Sequence, residues 1–232
     1  MPLPKITTPV YELEVPSSKK KFKYRPFLVK EQKVLIIAME SGDEKQIIEA
    51  ITTIFKNCIS TRFRMEDLAI FDVEYIFLQL RGRSVMEIIE LEIPCDDDED
   101  VKVPVTFPVD AVQVQFPEGH NRVIKLTDDI VVEMKYPNLE YFAKVNFTEE
   151  EPDPYDLVAT CVDRVYENGE DCGSFSPEEV KDWLETLTND QFEKVQDFFN
   201  TMPVLKHEIT VTNPNTGVKT TAVLEGLANF FG

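Results

Sequence analysis

The stretch "FDVEYIFLQLRGRSV", residues 71–85, decides how the rest of the chain can fold. Together with the residues from Met65 onward it predicts a helix to Leu80 that is apolar on nearly every side. A helix of this kind is buried on most sides, or buries one side against another subunit. It ends in Arg81-Gly82-Arg83-Ser84, two cations and a glycine in a chain of formal charge −19.

The arginines and the glycine suit a helix end. Cations complement the dipole at a helix C-terminus by about 0.3–1 kcal/mol, and Gly82 can supply a left-handed cap residue. The alternative is that Arg81 and Arg83 form an ion-pair anchor between this helix and an acidic strand or partner. Both interpretations stay open at the level of the sequence.

Composition indicates a globular protein that acts without nucleic acid. The 232 residues are 43% hydrophobic and 29% charged, which is ordinary for a folded domain, and no run approaches the ~18 apolar residues of a membrane span. The start lacks the apolar core of a signal peptide, so we expect residence in a cytosol. Residues 1–35 carry eight Lys and Arg against three Glu, so this basic arm can meet an acidic partner or the acidic body of the chain.

The first 60 residues predict a hairpin and two helices. Alternating Tyr11, Leu13 and Val15, then Phe22 and Tyr24, predict a β-hairpin with Lys19–Lys21 at its turn or on its exposed face. Residues 28–41 are expected to be helical, with four inward positions: Leu28, Val34, Leu35 and Ala38. The capping-box pattern from Ser41 to Glu44 predicts the start of the next helix.

Residues 87–141 change to β-strand patterns. Alternating β-branched residues, separated by acidic, proline and glycine turns, predict an antiparallel meander of four or five strands. Its edge strands must pair with something, because exposed edges invite association.

The remaining chain predicts a second domain. Residues 148–156, acidic and containing two prolines, are interpreted as a linker between an α+β domain (1–147) and a helical domain (157–232). The second domain is expected to begin with a helix that has Leu157, Val158, Cys161, Val162 and Val165 on one face. Caps at Ser176 and Thr188 predict two more helices. A hairpin turning at 213–217 follows, and Phe230 and Phe231 at the terminus either cover the core or insert into a neighbour. The fold class is therefore α+β.

Residues able to carry chemistry are few. The two histidines, His120 and His207, fall on predicted strands or turns and offer little for acid–base catalysis. The four cysteines are far apart, so they indicate neither a disulfide framework nor a zinc site. Cys172-Gly173-Ser174 has no histidine near it in sequence, and the acidic run 95–100 lacks the spacing of a calcium loop and is interpreted as a solvated hairpin tip. We expect no catalytic centre, metal or cofactor.

Several strings resemble one protein family. "RPFLVKE" (25–31), "FD-x-E-x-x-FLQLR-x-RSV" (71–85), "FEKVQDFFNTMP" (192–203) and the ending "LEGLANFFG" (224–232) are similar to the baseplate hub subunit and hub-assembly proteins of T-even-type contractile-tailed phages, including marine cyanophages. Relatives carry a cysteine pair in the strand region, where this chain has only Cys95, which argues against a zinc knuckle. The matching segments and the C-terminus supply these candidate interaction residues: Arg25, Phe27, Lys30, Phe71, Glu74, Phe77, Leu78, Arg81, Arg83, Phe230 and Phe231.

The resemblance implies a non-catalytic role in building the tail baseplate through protein–protein contacts. In one interpretation the chain is a hub subunit retained in the virion, bound to other hub proteins. In the other it is an assembly chaperone that binds the tape-measure protein or a hub intermediate and then leaves. Either protein works in the host cytoplasm during assembly, without nucleic acid or a membrane span; only the first ends in the baseplate. An enzyme is the least favoured class, because no catalytic constellation is visible.

Overall fold

The structure is a computed structural model, and it describes residues 7–85, 88–147 and 153–230. The helices are α1 Val29–Ser41, α2 Glu44–Cys58, α3 Ile70–Val85, α4 Leu139–Phe147, α5 Pro154–Cys161, α6 Pro177–Leu184 and α7 Asn189–Asn200. The strands are β1 Tyr11–Glu14, β2 Lys21–Tyr24, β3 Ile88–Cys95, β4 Asp98–Pro108, β5 Gln113–Gln115, β6 Val123–Lys125, β7 Ile130–Met134, β8 Val162–Glu167, β9 Glu170–Asp171, β10 Val204–Thr212 and β11 Lys219–Glu225. Short 3-10 turns occupy Met65–Asp67, Val109–Ala111 and Leu227–Phe230. The predicted α+β class is confirmed.

Helix α3 is the buried centre of the larger core, as its all-round apolar sequence predicts. Val73, Ile76, Phe77 and Leu80 have no solvent exposure. The helix begins at Ile70 rather than at Met65, because the Asp72 carboxylate accepts the Ala69 N–H at 3.0 Å and fixes the first turn there.

Gly82 is not the left-handed cap that the sequence suggested. It lies inside α3, which continues to Val85. A Cβ at this position would lie 2.5 Å from Val109 Cγ2, so the glycine is needed for the close approach of the 109–111 turn to the helix.

The N-terminal hairpin forms as predicted. β1 and β2 pair antiparallel with Leu13 opposite Phe22, and both of these side chains are buried. The hairpin is attached to α3 at its turn, where the Ser17 N–H and hydroxyl both donate to the Asp72 carboxylate. Burial raises the pKa of Asp72, and the hydrogen bonds from Ser17 act against this rise.

The junction of α1 and α2 differs from the predicted capping box. Ser41 ends α1, Gly42 follows in the left-handed conformation at φ 63°, and Asp43 caps α2 by accepting the Gln46 N–H at 3.0 Å. Of the four predicted inward positions in α1, Leu35 and Ala38 are buried, whereas Leu28 and Val34 are 37% and 40% exposed. The third buried residue of α1 is Glu31, which forms an ion pair with Arg25.

The predicted strands form, but they do not make a meander. β3 and β4 are a separate two-stranded ribbon, β5 joins the sheet β11-β10-β5, and β6 and β7 join the sheet β6-β7-β8-β9. Strand β5 pairs with β10, about 90 residues later in the chain. Strands β5 and β7 therefore pair with strands from later in the chain, β10 and β8, and local alternation cannot reveal such partners.

Val162 and Val165 also differ from their prediction, because they lie on strand β8 rather than on a helix face. α5 ends at Cys161, and β8 continues directly from it along β7. The later capping predictions are confirmed: Ser176 with Glu179 begins α6, and Thr188 with Gln191 begins α7.

The buried side chains form two cores. The larger gathers the N-terminal hairpin, α1–α4, the β3–β4 ribbon and residues of β10 and β11. The smaller lies among the sheet β6-β7-β8-β9, α5, α6 and α7. The domain boundaries at 147 and 157 stay a prediction, and any division of the chain must accommodate the pairing of β7 with β8 across them.

Candidate protein-binding surfaces

The two segments that carry the main resemblance meet in the structure. The Phe27 ring packs edge-on against Phe77 with centroids 5.8 Å apart. The Phe27 N–H donates to the Ser84 hydroxyl, which in turn donates to the Leu80 carbonyl on α3. Residues 25–31 therefore close over the C-terminal half of α3.

A buried ion pair fixes the beginning of α1 at this junction. Arg25 Nη2 lies 2.9 Å from Glu31 Oε1, and Glu31 is 2% exposed. The Leu28 N–H donates to the same carboxylate at 2.9 Å, and Lys30 Nζ lies 3.4 Å from it. Burial by itself would raise the pKa of Glu31, but the hydrogen bonds from Arg25 and the Leu28 N–H outweigh burial and lower it.

The predicted interaction residues on α3 lie inside the protein. Phe71, Phe77 and Leu78 are at most 1% exposed, and Glu74 is 8% exposed. Phe71 contacts the ring of Tyr136, with centroids 4.9 Å apart. The apolar faces of α3 are thus covered by the chain itself, and a role for them in binding a partner stays a prediction.

The arginines at the end of α3 are half-buried. Arg83 forms an ion pair with Asp110 on the 109–111 turn, and its guanidinium lies 5.2 Å from the Tyr11 ring centroid. Burial lowers the pKa of Arg81. Arg83 therefore links α3 to Asp110 of the same chain, and an anchor to an acidic strand or partner stays a prediction.

At the C-terminus, Phe230 is 2% exposed and belongs to the larger core. Its position favours the interpretation that the terminus covers the core. Phe231 lies outside the described residues.

Three cysteines are buried, and one, Cys172, is exposed. Burial raises the pKa of Cys58 to about 11 and that of Cys161 to about 12, so neither thiol ionises near neutral pH.

In the acidic run 95–100, Asp97 accepts hydrogen bonds from Thr216 and Asn213 of the β10–β11 turn, which lower its pKa. In the described part of the chain, no three His, Cys, Asp or Glu side chains gather where they could hold a metal.

A groove of about 810 Å³ runs between the two cores. Its floor includes Phe71 from the larger core and Val180 from the smaller one. Phe116 and Phe175 also line it and are 49% and 43% exposed. Two cations, Arg122 and Lys135, and two acidic residues, Glu66 and Asp67, also line the groove. Among the described residues Lys135 has no ion-pair partner, and the nearest carboxylate to Arg122, that of Glu133, is 3.9 Å away.

A second surface, the outer face of α1, was missed by the sequence analysis. Large apolar side chains between 37% and 69% exposed occur along it: Leu28, Val29, Val34, Ile36, Ile37 and Met39. Contiguous exposed apolar residues mark interaction sites more often than scattered ones do. The six consecutive apolar residues 34–39 were the available signal, because a surface helix cannot bury all of its sides at once.

An aromatic-lined groove and an apolar helix face are typical of proteins that act by binding other proteins. The family comparison agrees with this class: residues 8–232 match the model of the T4 bacteriophage base plate protein family, and the chain belongs to that family. Searches of curated proteins and of solved structures found no significant match.

Membership makes this chain a phage baseplate protein, and it implies contacts with other baseplate proteins. The family is one of structural, generally non-catalytic proteins, and the absence of catalysis in this chain stays a prediction. No helix in the described residues has the length and apolar character needed to cross a membrane.

Proposed function

We propose that this protein is a component of the baseplate hub and that it holds a neighbouring hub protein in the groove between its two cores. The observation that carries the proposal is the combination of half-exposed Phe116 and Phe175 with the cations Arg122 and Lys135 in one concave site. Aromatic side chains and arginine are enriched in protein interfaces, where they supply much of the binding energy.

The groove favours a particular kind of occupant. Apolar side chains of an extended segment can lie against Phe116 and Phe175, while a carboxylate of that segment faces Lys135 and Arg122. Two contacts fix the Arg122 side chain in the groove. Its Nε donates to the Met134 carbonyl at 2.7 Å, and its guanidinium lies 5.7 Å from the Tyr136 ring centroid. An acidic, apolar peptide segment of another hub protein meets both requirements.

Quantitative peptide mass spectrometry on gradient-purified phage and on tail intermediates tests the hub role. We expect a few copies per virion, in fixed ratio to other hub components. Presence in intermediates together with absence from finished particles would overturn the structural role and make the protein an assembly chaperone.

Substitutions in the phage gene test the groove. Phe175→Asp should reduce the number of complete baseplates and deplete the protein from them, because a charge replaces the apolar contact. The matched control is Val218→Asp, which changes a side chain of similar exposure on the β10–β11 turn that does not line the groove. Lys135→Glu, compared with the exposed Lys102→Glu on β4, tests the carboxylate preference. Normal assembly with both groove variants would exclude this groove as the binding site.

A further inference from the structure

The outer face of α1 has a regular order of apolar and charged residues. Val29, Lys33, Ile36, Ile37 and Glu40 follow the spacing i, i+4, i+7, i+8, i+11, which places them on one side of the helix. All five are exposed, and the opposite side carries the buried residues Glu31, Leu35 and Ala38.

The exposed charges of α1 run against the helix dipole. Lys30 lies in the first turn and Lys33 follows it, whereas Glu40 lies in the last turn. A helix is stabilised by the reverse order, with anions near its N-terminus and cations near its C-terminus. Among the described residues neither Lys33 nor Glu40 forms an ion pair within the chain, so the chain's own contacts do not account for this arrangement.

We propose that the outer face of α1 pairs with the same face of a second copy, antiparallel, about a two-fold axis between Ile36 and Ile37. In this register Ile36 faces Ile37 of the second copy, and Lys33 faces Glu40 of the second copy. Symmetry creates each contact twice, so two ion pairs bracket a central cluster of four isoleucines. The order of charges that is unfavourable in one helix becomes complementary between two.

The alternatives fit less well. A parallel pair would place Lys33 beside Lys33 and Glu40 beside Glu40, and like charges at an interface disfavour association. A shallow cavity of about 280 Å³ lies beside the stripe, lined by Val34 and Ile37 of α1 and Ala50 of α2. It has room for an apolar side chain of the second copy. This surface shares no lining residue with the groove, so the proposal does not depend on the hub assignment.

The dimer is expected to be weak. A 13-residue helix is about 20 Å long, and two such helices bury an area at the low end for specific protein interfaces. Self-association should therefore depend on concentration, and it should weaken as added salt screens the ion pairs.

Sedimentation equilibrium on the purified full-length chain, from low to several hundred micromolar protein, tests the proposal. We expect a monomer–dimer equilibrium for the unchanged chain. Lys33→Glu and Glu40→Lys should each raise the dissociation constant at least tenfold, because each places like charges together at two symmetric positions. The double variant Lys33→Glu/Glu40→Lys restores both pairs and should dimerise like the unchanged chain.

Mixing the two single variants is the most specific test. A Lys33→Glu chain and a Glu40→Lys chain complement each other at both ion pairs, so the mixture should form heterodimers although each variant alone is monomeric. Charge changes on the β3–β4 ribbon, Glu92→Lys and Lys102→Glu, are controls and should leave the dimer unchanged. Circular dichroism melting verifies that every variant is folded.

Three outcomes would overturn the proposal. The first is an unchanged chain that stays monomeric at all concentrations. The second is a dimer that resists both single substitutions, which would place the interface elsewhere. The third is a mixture of single variants that fails to associate, which would exclude the two-fold register.

Discussion

Helices α1 and α2 are neighbours in sequence and in space, yet α2 buries its large apolar side chains whereas α1 leaves most of its own exposed. α2 buries Ile47, Ile51, Ile54 and Phe55 in the core. α1 buries a glutamate and leaves Ile36 and Ile37 45% and 64% exposed. α1 therefore contacts the core through the Glu31–Arg25 ion pair and through Leu35 and Ala38, while most of its large apolar side chains remain exposed.

The largest expected effect comes from comparing isoleucines on the two helices. Ile51→Ala should lower the free energy of unfolding by about 2–5 kcal/mol, because Ile51 has no exposure and its truncation leaves a cavity. Ile37→Ala should change it by less than about 0.5 kcal/mol. Urea denaturation at low micromolar protein measures both. Equal losses would mean that the outer face of α1 is structural.

The buried ion pair gives the next effect. Glu31→Gln should lower the free energy of unfolding by about 1–3 kcal/mol, because Arg25 loses its carboxylate at a site from which water is largely excluded. Exposed Glu49→Gln on α2 is the control and should have almost no effect.

The same pair has a predictable pH dependence. The folded state lowers the pKa of Glu31, so the stabilisation is complete above the ordinary carboxyl pKa and is lost as the pH falls through the lowered value. The difference in stability between the unchanged chain and Glu31→Gln should therefore shrink on acidification. A difference that is constant from pH 7 to pH 3 would contradict this linkage.

The cap between the two helices is expected to contribute about 1 kcal/mol. Asp43→Ala should destabilise the protein by that amount, because the Gln46 N–H loses its acceptor. Ser41→Ala should have a smaller effect, since its hydroxyl donates to the Ala38 carbonyl at 2.7 Å and accepts the Asp43 N–H at 3.2 Å, but no N–H of α2 itself. Chemical denaturation of both variants decides which residue begins α2, and the reverse ranking would favour the capping box expected from sequence.

The smallest expected effect has the opposite sign. Glu40→Lys should raise the stability of the monomer by about 0.3–1 kcal/mol, because a cation replaces an anion in the last turn of α1. Thermal melting in low salt, at protein concentrations below those of self-association, measures it. Glu44→Lys in the first turn of α2 should instead destabilise, since the dipole there favours an anion.

The sequence predicted the elements whose signals are local. The N-terminal hairpin, the buried helix α3 and the caps at Ser176 and Thr188 follow from periodicity and from hydrogen bonds spanning three residues. The predicted meander does not form, because alternation identifies a strand without identifying its partner. Strand β5, for example, is three residues long and pairs with β10. The helical prediction for Val162 and Val165 was wrong for a similar reason, because both residues pair with β7 as part of strand β8.

The candidate interaction residues named from the resemblance lie mostly inside the protein. The resemblance selected Phe71, Phe77 and Leu78, which the structure places in the core, and Arg25, Phe27 and Arg83, which connect segments of the chain. Of the outward surfaces, only the beginning of the α1 face overlaps a matching segment, because Leu28, Val29 and Lys30 lie in "RPFLVKE". Phe116 and Phe175 become neighbours of one groove only after the two cores have formed.

The pairing of β5 with β10 also affects when the protein can fold. Leu205, Val211, Leu224 and Phe230 all belong to the larger core, although they lie in the last 30 residues of the chain. A ribosome adds about 5–20 residues per second, so β5 waits roughly 5–20 s after its own synthesis for its partner strand. During that interval the nascent chain lacks part of its larger core, which is completed only once residues 204–230 have been synthesised.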